Sequence, residues 1–281
     1  TAAGTAGFLA VMPCLNAEEA LTNTKPLKVG LVGCGGRGLG AMKNALDADP
    51  GTIAWALADV FPERIDFGAK LLAEQYGNRA RLDRSRLFSG LDSYNRLLQT
   101  DIDVVLLCTP PAFRPEHLAA AIDASKHIYA EKPVAVDVPG VLSVLESARL
   151  AKLKNLVILD GFCWRYDKAN EEAHRKLSSG LLGRVLSFDG LYYTTPPKSP
   201  LALDSRPSSD TDVAWALRNW TAWNWLSGGQ FVEQIVHTID GMVWSMNEQL
   251  PLAAFGSGGR AQRRDDGDVW DHYDVYFEYD H

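Results

Sequence analysis

The sequence predicts a two-part α/β protein, a doubly wound parallel sheet followed by a smaller α+β unit with a mainly antiparallel sheet. Short, almost continuously apolar runs alternate with stretches of helical spacing over the first half of the chain. Such runs fit strands of a parallel sheet covered on both faces, and the alternation fits crossover connections. The first run passes directly into a glycine-rich turn. From about Gly161 the pattern changes to longer loops, clustered tryptophans and strand-like alternation.

The first strand, from Lys28, enters Gly33-Cys34-Gly35-Gly36-Arg37-Gly38, the spacing G-x-G-x-x-G. In a Rossmann dinucleotide-binding unit, Gly33 permits the tight turn and Gly35 lets backbone approach a pyrophosphate. Gly38 lets the next helix pack closely on the strand. That helix, from about Leu39 to Asp49, directs its free N–H groups and positive dipole end at the phosphates. After a turn at Asp49-Pro50-Gly51, the strand Thr52 to Ala58 ends at Asp59, 21 residues beyond Gly38. An acid at that distance meets the adenosine ribose hydroxyls; capping the next helix is its alternative role. A carboxylate there repels a 2′-phosphate and favours NAD, while Arg37 and Arg64 leave NADP open.

Ile65, Ala69, Leu72 and Ala73 mark a helix from Arg64 to Tyr76, followed by a short strand at Arg86 to Phe88 and a short helix from Tyr94 to Leu98. The run Asp103 to Cys108 ends in Thr109-Pro110-Pro111. A helix over Glu116 to Ala124 leads to the strand His127 to Ala130, which ends in Glu131-Lys132-Pro133. A helix over Pro139 to Leu153 and a strand over Leu156 to Leu159 complete the first unit. Ligands of open α/β sheets bind beyond the carboxyl ends of the strands. Gly33–Gly38, Asp59, Thr109–Pro111 and Glu131–Pro133 all fall there.

The second unit reads as a helix over Glu171 to Ser179, a strand over Val185 to Thr195 and a polar loop to about Asp212. Trp215, Trp220, Trp223 and Trp225 follow, then a helix from Phe231 to Met246 and strands around Ala253 to Phe255 and Tyr273 to Tyr279. The expected organisation is an arm or export-signal remnant over 1–27, a dinucleotide-binding domain over 28–163 and a substrate domain over 164–281. Residues 1–20 are rich in small and apolar residues, which fits either the tail of an export signal or a packing arm. The expected location is therefore periplasmic or otherwise exported, with the cytoplasm as the alternative. The run is too short and interrupted to span a bilayer.

The 281 residues carry a net charge of −7, with 46% hydrophobic and 22% charged residues. That balance offers no global basic field for nucleic acid. Cys14, Cys34, Cys108 and Cys163 are scattered, without metal-ligand spacing or a disulfide framework. Cys34 and Cys108 read as small apolar fillers at strand ends.

Taken together, the glycine turn, Thr109-Pro110-Pro111, Glu131-Lys132-Pro133 and the helix segment Glu233-Gln234-Ile235-Val236-His237-Thr238-Ile239-Asp240 resemble the glucose–fructose oxidoreductase, inositol dehydrogenase and MocA (Gfo/Idh/MocA) family. The resemblance runs from about Lys28 to Tyr279. It implies a Rossmann domain, a second domain on an open antiparallel sheet with further strands than are present here, and oligomers formed through that sheet. It further implies an NAD(P)-dependent oxidoreductase acting on a sugar, polyol or sugar derivative.

The resemblance makes Lys132 the group between nicotinamide and substrate that takes a hydroxyl proton as hydride leaves the same carbon. Glu131 and Lys132 join Gly33, Gly35, Gly36, Arg37, Gly38, Asp59 and Thr109–Pro111 as cofactor residues. Glu233, His237 and Asp240 share one helical face by their i,i+4 and i+3 spacing. The family usually has Asp where this chain has Glu233, which leaves that residue either orienting His237 or touching a sugar hydroxyl. His237 is either an acid/base or a buried imidazole bonded to Asp240. A Glu/His pair alone is too few ligands for zinc. Arg165 and Tyr166 match a segment that lines the site, with Trp164 where a more polar residue is expected. Tyr192, Tyr193, Trp220 and Trp223 are candidates for a wall that stacks on a sugar. Arg114 stands where relatives often carry His, so neither it nor His117 takes a role from the resemblance. Two other activities remain open: glycoside cleavage with transiently reduced NAD, and a non-catalytic dinucleotide-binding subunit.

Overall fold

The computed structural model describes residues 25–195 and 200–280. The expectations for the arm over 1–24, and for Cys14 within it, lie outside the described residues. The first half is a six-stranded parallel sheet of order β3-β2-β1-β4-β5-β6. Its strands are β1 (Leu27–Val32), β2 (Thr52–Asp59), β3 (Leu87–Ser89), β4 (Val104–Leu107), β5 (His127–Ala130) and β6 (Ile158–Asp160). Helices α1 (Gly36–Ala48), α2 (Pro62–Tyr76), α3 (Ser93–Leu98), α4 (Arg114–Asp123) and α5 (Val138–Leu153) make the crossovers. The order reverses between β1 and β4, the switch point where open sheets of this kind leave a crevice for a ligand.

Two apolar layers cover the faces of the sheet, which explains why its strands read as continuous apolar runs. Val29, Leu31, Leu39, Met42, Leu46, Leu57, Ile65 and Leu72 fill one side. Leu97, Val105, Leu107, Leu118, Ile122 and Ile128 fill the other. Helix starts follow local chemistry: Pro62 and Pro115 stand in first turns, and the Asp137 carboxylate accepts from the Gly140 N–H to cap α5.

The second half opens with α6 (Lys168–Ser178), whose N–H groups at Ala169 and Asn170 donate to the Asp167 carboxylate. The tryptophan-rich stretch forms α7 (Asp212–Arg218), a short turn at Trp220–Ala222 and α8 (Asn224–Ser227). A π-helical turn over Phe231–Ile235 runs into α9 (Val236–Ser245), and β7 (Ala253–Gly259) pairs antiparallel with β8 (His272–Glu278).

One expected element is corrected. The stretch Val185 to Thr195 forms no strand, although its sequence alternates. Strand formation needs a neighbour for the backbone N–H and C=O groups, and among the described residues β7 and β8 pair only with each other. The chain instead runs close along α9. A Cβ at Gly190 would lie 2.3 Å from the Thr238 side chain.

Candidate active site

The carboxyl ends of β1, β2, β4 and β5 and the tryptophan-rich stretch enclose a cleft of about 800 Å³. At one end, Gly33 turns with φ +97°, and a Cβ there would meet the Cys108 carbonyl at 2.7 Å. A Cβ at Gly38 would fall 1.8 Å from the Gly33 carbonyl oxygen, so α1 packs on the turn without room for a methyl. Around Gly35 and Gly36 the space is open to 4 Å. Gly38 thus has no room for a side chain, whereas Gly35 does.

Asp59, 6% exposed, also lines this end. Its Oδ2 accepts from the Cys34 N–H at 2.7 Å and its Oδ1 from the Phe61 N–H at 3.0 Å. It therefore fastens the glycine turn and the approach to α2 while still facing the cleft, and each oxygen keeps a second lone pair. Arg64 lies 3.9 Å from Oδ1 and over the Phe61 ring. Arg37 turns the other way: its Nε donates to Glu131 Oε1 at 2.6 Å, which also accepts from the Tyr129 hydroxyl at 2.8 Å.

At the other end, the Thr109–Pro111 and Glu131–Pro133 turns meet the second half of the chain. The Lys132 ammonium donates to the Glu233 carbonyl and sits 3.6 Å from Glu233 Oε2. Glu233 lies in the π-helical turn, a local widening common at functional sites, and His237 follows one turn on. Glu233 Oε1 and His237 Nδ1 are buried without a hydrogen-bond partner although both residues line the cleft. Burial pushes the Glu233 carboxyl up to about 7 against the opposing charges of Lys132 and Arg114. Burial and the Lys132 charge lower the His237 imidazole, so it is neutral at neutral pH. Trp164 stacks on His237 at 4.8 Å, Phe162 meets its edge, and Tyr192 stacks on Trp164 at 6.0 Å. The Tyr192 hydroxyl donates to Gln234 at 2.9 Å.

The structure thus gathers Gly33, Gly35, Gly36, Arg37, Gly38, Asp59, Thr109–Pro111, Glu131, Lys132, Glu233, His237 and Trp220 around one cleft. Arg165, Tyr166, Asp240 and Tyr193 do not line it. Arg165 grips both Asp240 oxygens, at 2.8 to 3.1 Å, and also Glu248, so Asp240 is engaged by arginine rather than by His237. Tyr166 is exposed, and Tyr193 is 90% exposed. Trp223 packs in an apolar cluster with Phe61, Leu217 and Leu226.

Sequence reasoning assigned no site role to Leu217, Thr221 or Gln234, which line the cleft from the second half. The crowding of tryptophans was the signal for Leu217 and Thr221, and the Glu233–Asp240 segment that for Gln234. His117 also faces the cleft, but it stacks on Tyr94 at 4.1 Å, and burial lowers it to about 3. Burial pushes the Cys108 thiol up to about 12, as befits an apolar filler. Among the described residues no group of three His, Cys, Asp or Glu side chains is placed to hold a metal.

Fold and cleft together define a Rossmann-type dinucleotide-binding protein whose second half lines the cleft at the Lys132 end. Residues 27–158 match the model of an oxidoreductase family with an NAD-binding Rossmann fold, GFO_IDH_MocA. The sheet domain, residues 27–158, is therefore similar to that of the Gfo/Idh/MocA oxidoreductases.

Among curated relatives, dTDP-3,4-didehydro-2,6-dideoxy-alpha-D-glucose 3-reductase of Actinomadura kijaniata is 28% identical over 177 residues, 63% of this chain and 48% of the relative. Inositol 2-dehydrogenase of Salmonella typhimurium is 25% identical over 227 residues, 79% and 55% of the two chains. The chain spans about half the length of these curated relatives. The solved structure of GenD2 from gentamicin A biosynthesis, in complex with NAD, superposes with a TM-score of 0.65. It is 22% identical, with 91% of this chain and 63% of that one covered, a likeness of fold.

Proposed function

We propose that this chain is an NAD-dependent oxidoreductase that interconverts a secondary alcohol and a ketone on a sugar, polyol or sugar derivative. The observation that carries this reading is the pair of buried, unpartnered atoms, Glu233 Oε1 and His237 Nδ1, in residues grouped with Lys132 in the cleft that the glycine turn also lines. Buried polar atoms are almost always satisfied, so two unpartnered ones in residues that line one cleft support a polar, hydroxylated ligand at that end.

The residues fit a nicotinamide dinucleotide. The clearance over Gly35 admits a pyrophosphate at the start of α1, and Asp59 keeps acceptor capacity for ribose hydroxyls. The Asp59 carboxylate supports NAD over NADP; of the two arginines that leave NADP open, Arg37 is taken by Glu131, while Arg64 lies 3.9 Å from Asp59 Oδ1. When bound, the nicotinamide supplies the hydride acceptor or donor. Lys132 Nζ takes the proton of the reacting hydroxyl while passing one of its own to Glu233 Oε2, the nearer carboxylate oxygen. A group titrating near neutrality suits that exchange. His237, neutral and held by the Trp164 and Phe162 rings, orients the hydroxyl through Nδ1. The Tyr192–Trp164 stack is the part of the aromatic wall that continues from His237.

The same reading includes an exported protein and an oligomer built through the C-terminal sheet. Phe255 and Tyr276, paired across β7 and β8, are 77% and 72% exposed and support the second point.

The test is mass spectrometry of the purified chain for a retained dinucleotide, followed by turnover of inositols and aldoses in the parent and Lys132→Ala. The expected result is bound or titratable NAD in both and turnover lost in the variant. Undiminished turnover without Lys132 overturns the assignment. Release of free sugar from a glycoside without net NADH would replace the dehydrogenase reading with glycoside cleavage. NAD binding without any activity would make the chain a binding subunit.

A further inference from the structure

Arg114 opens α4 and is 1% exposed, among the most deeply buried charged groups in the protein. Its guanidinium is satisfied by carbonyls. Nη1 donates to Leu107 O at 2.5 Å, Nη2 to Thr109 O at 2.8 Å and Nε to Pro133 O at 3.2 Å. Leu107 ends β4, Thr109 opens the Thr-Pro-Pro turn, and Pro133 closes the Glu-Lys-Pro turn. One planar fork therefore spans the carboxyl ends of two neighbouring strands and sets the spacing of the turns on either side of Lys132.

Burying a cation is costly unless its donors are met. An apolar residue of similar length would fill the volume without that cost, but it would take this donor from the Thr109 and Pro133 carbonyls and leave Leu107 O with the Glu131 N–H alone. The charge has a direction as well. Glu131 and Glu233 are the carboxylates whose fields reach Arg114, and both stand at the Lys132 end of the cleft.

We propose that Arg114 is a positioning residue for proton transfer: its guanidinium clamps the Thr109–Pro111 and Glu131–Pro133 turns so that Lys132 meets Glu233, and it holds a fixed positive charge behind that pair. The proposal rests on Lys132, Glu233 and His237 being the reacting end. The groups facing Glu233 are Lys132 and Glu131 from the β5 turn, Arg114 from α4 and His237 on its own helix. Withdrawing one positive charge from that set leaves Glu233 holding its proton to higher pH.

Two readouts test this on the full chain with NAD present and need no substrate. The first is the acetylation rate of Lys132, followed by peptide mass spectrometry. Lys126, bonded to the Thr100 and Ile102 carbonyls at the opposite end of the sheet, is the internal control for folding. The second is the Glu233 titration midpoint from ¹³C-glutamate NMR, with Glu233→Gln to assign the signal.

Arg114→Lys keeps the charge but loses the fork. It is expected to raise the Lys132 rate roughly tenfold with Lys126 unchanged, because a misplaced turn exposes the amine. Arg114→Met is expected to do the same and to move the Glu233 midpoint up by about one unit. Parental Lys132 reactivity in Arg114→Lys overturns the clamp, and this variant decides alone if Arg114→Met does not fold. A parental Glu233 midpoint in a folded Arg114→Met overturns the electrostatic part. The wider reading fails separately, through undiminished turnover in Lys132→Ala.

Discussion

Gly35 and Gly38 belong to one motif, yet the structure predicts that alanine at each will do different damage. At Gly38 the added Cβ would lie 1.8 Å from the Gly33 carbonyl oxygen and 3.2 Å from Cys108 Cβ. Relief requires α1 and the glycine turn to part by more than about 1 Å, since non-bonded heavy atoms settle at roughly 3.5 Å. Overpacking costs about 1–3 kcal/mol, and the obstacle here is backbone, which moves least readily. At roughly 2–4 °C per kcal/mol, melting falls by about 2–12 °C.

At Gly35 the backbone is extended, with φ −73° and ψ −179°, and nothing lies within 4 Å of the added carbon. Stability should stay within about 0.5 kcal/mol of the parent. The methyl would instead stand where a pyrophosphate has to approach the backbone. An affinity loss of tenfold or more, about 1.4 kcal/mol, is the expected consequence. Thermal melting by circular dichroism and NADH fluorescence titration measure the two effects. Equal destabilisation by both substitutions, or parental NADH affinity in Gly35→Ala, refutes the reasoning.

Two further predictions concern buried carboxyls. Glu233 has a native carboxyl near 7, so between about pH 4.5 and 7 the folded chain holds a proton that the unfolded chain has lost. Stability from this group therefore falls as pH rises through that window, by on the order of a few kcal/mol. His237 acts in the opposite sense below about pH 6.5, because its folded imidazole resists the proton that the unfolded chain binds. Urea unfolding of the parent and Glu233→Gln from pH 5 to 7.5 isolates the first effect; a pH-independent difference between them would count against it. Asp59→Asn should narrow the preference for NAD over NADP by about tenfold, because the charge that repels a 2′-phosphate is gone. Paired titrations with NADH and NADPH decide it, and an unchanged ratio removes Asp59 from cofactor choice.

Most of the first half was legible because its physics is local. A run such as Val104–Leu107, buried on both sides, must be apolar throughout, and G-x-G-x-x-G is a steric specification written in single residues. Lys132, Glu233 and His237 were named through resemblance, and the helical period placed the last two on one face. What escaped depended on partners distant in sequence. Val185 to Thr195 has the alternation of a strand, but alternation does not say whether a neighbouring strand exists. Asp240 has the spacing to meet His237, yet Arg165, 75 residues away, takes both of its oxygens. Arg114 looked like a substituted position without a role, because its three acceptors are carbonyls and carbonyls leave no trace in side-chain identity. The π-helical turn beneath Glu233 is equally silent, since one extra residue in a turn changes no periodic signal that short.

The tryptophan-rich stretch lies on Phe61, Ala112 and Phe113 of the sheet domain and is tied there by Arg218, which bonds Glu63 at 2.7 Å and covers the Phe61 ring at 3.9 Å. Wall and floor of the cleft consequently share one apolar cluster, and neither can melt without uncovering the other. A dinucleotide that touches mainly the glycine turn would therefore raise the melting temperature of helices in the second half that it scarcely contacts. That follows because binding to the native cleft adds its free energy to whatever unfolds together with it. Nucleotide binding would in this way be read as added stability in the tryptophan-rich helices as well as at the glycine turn.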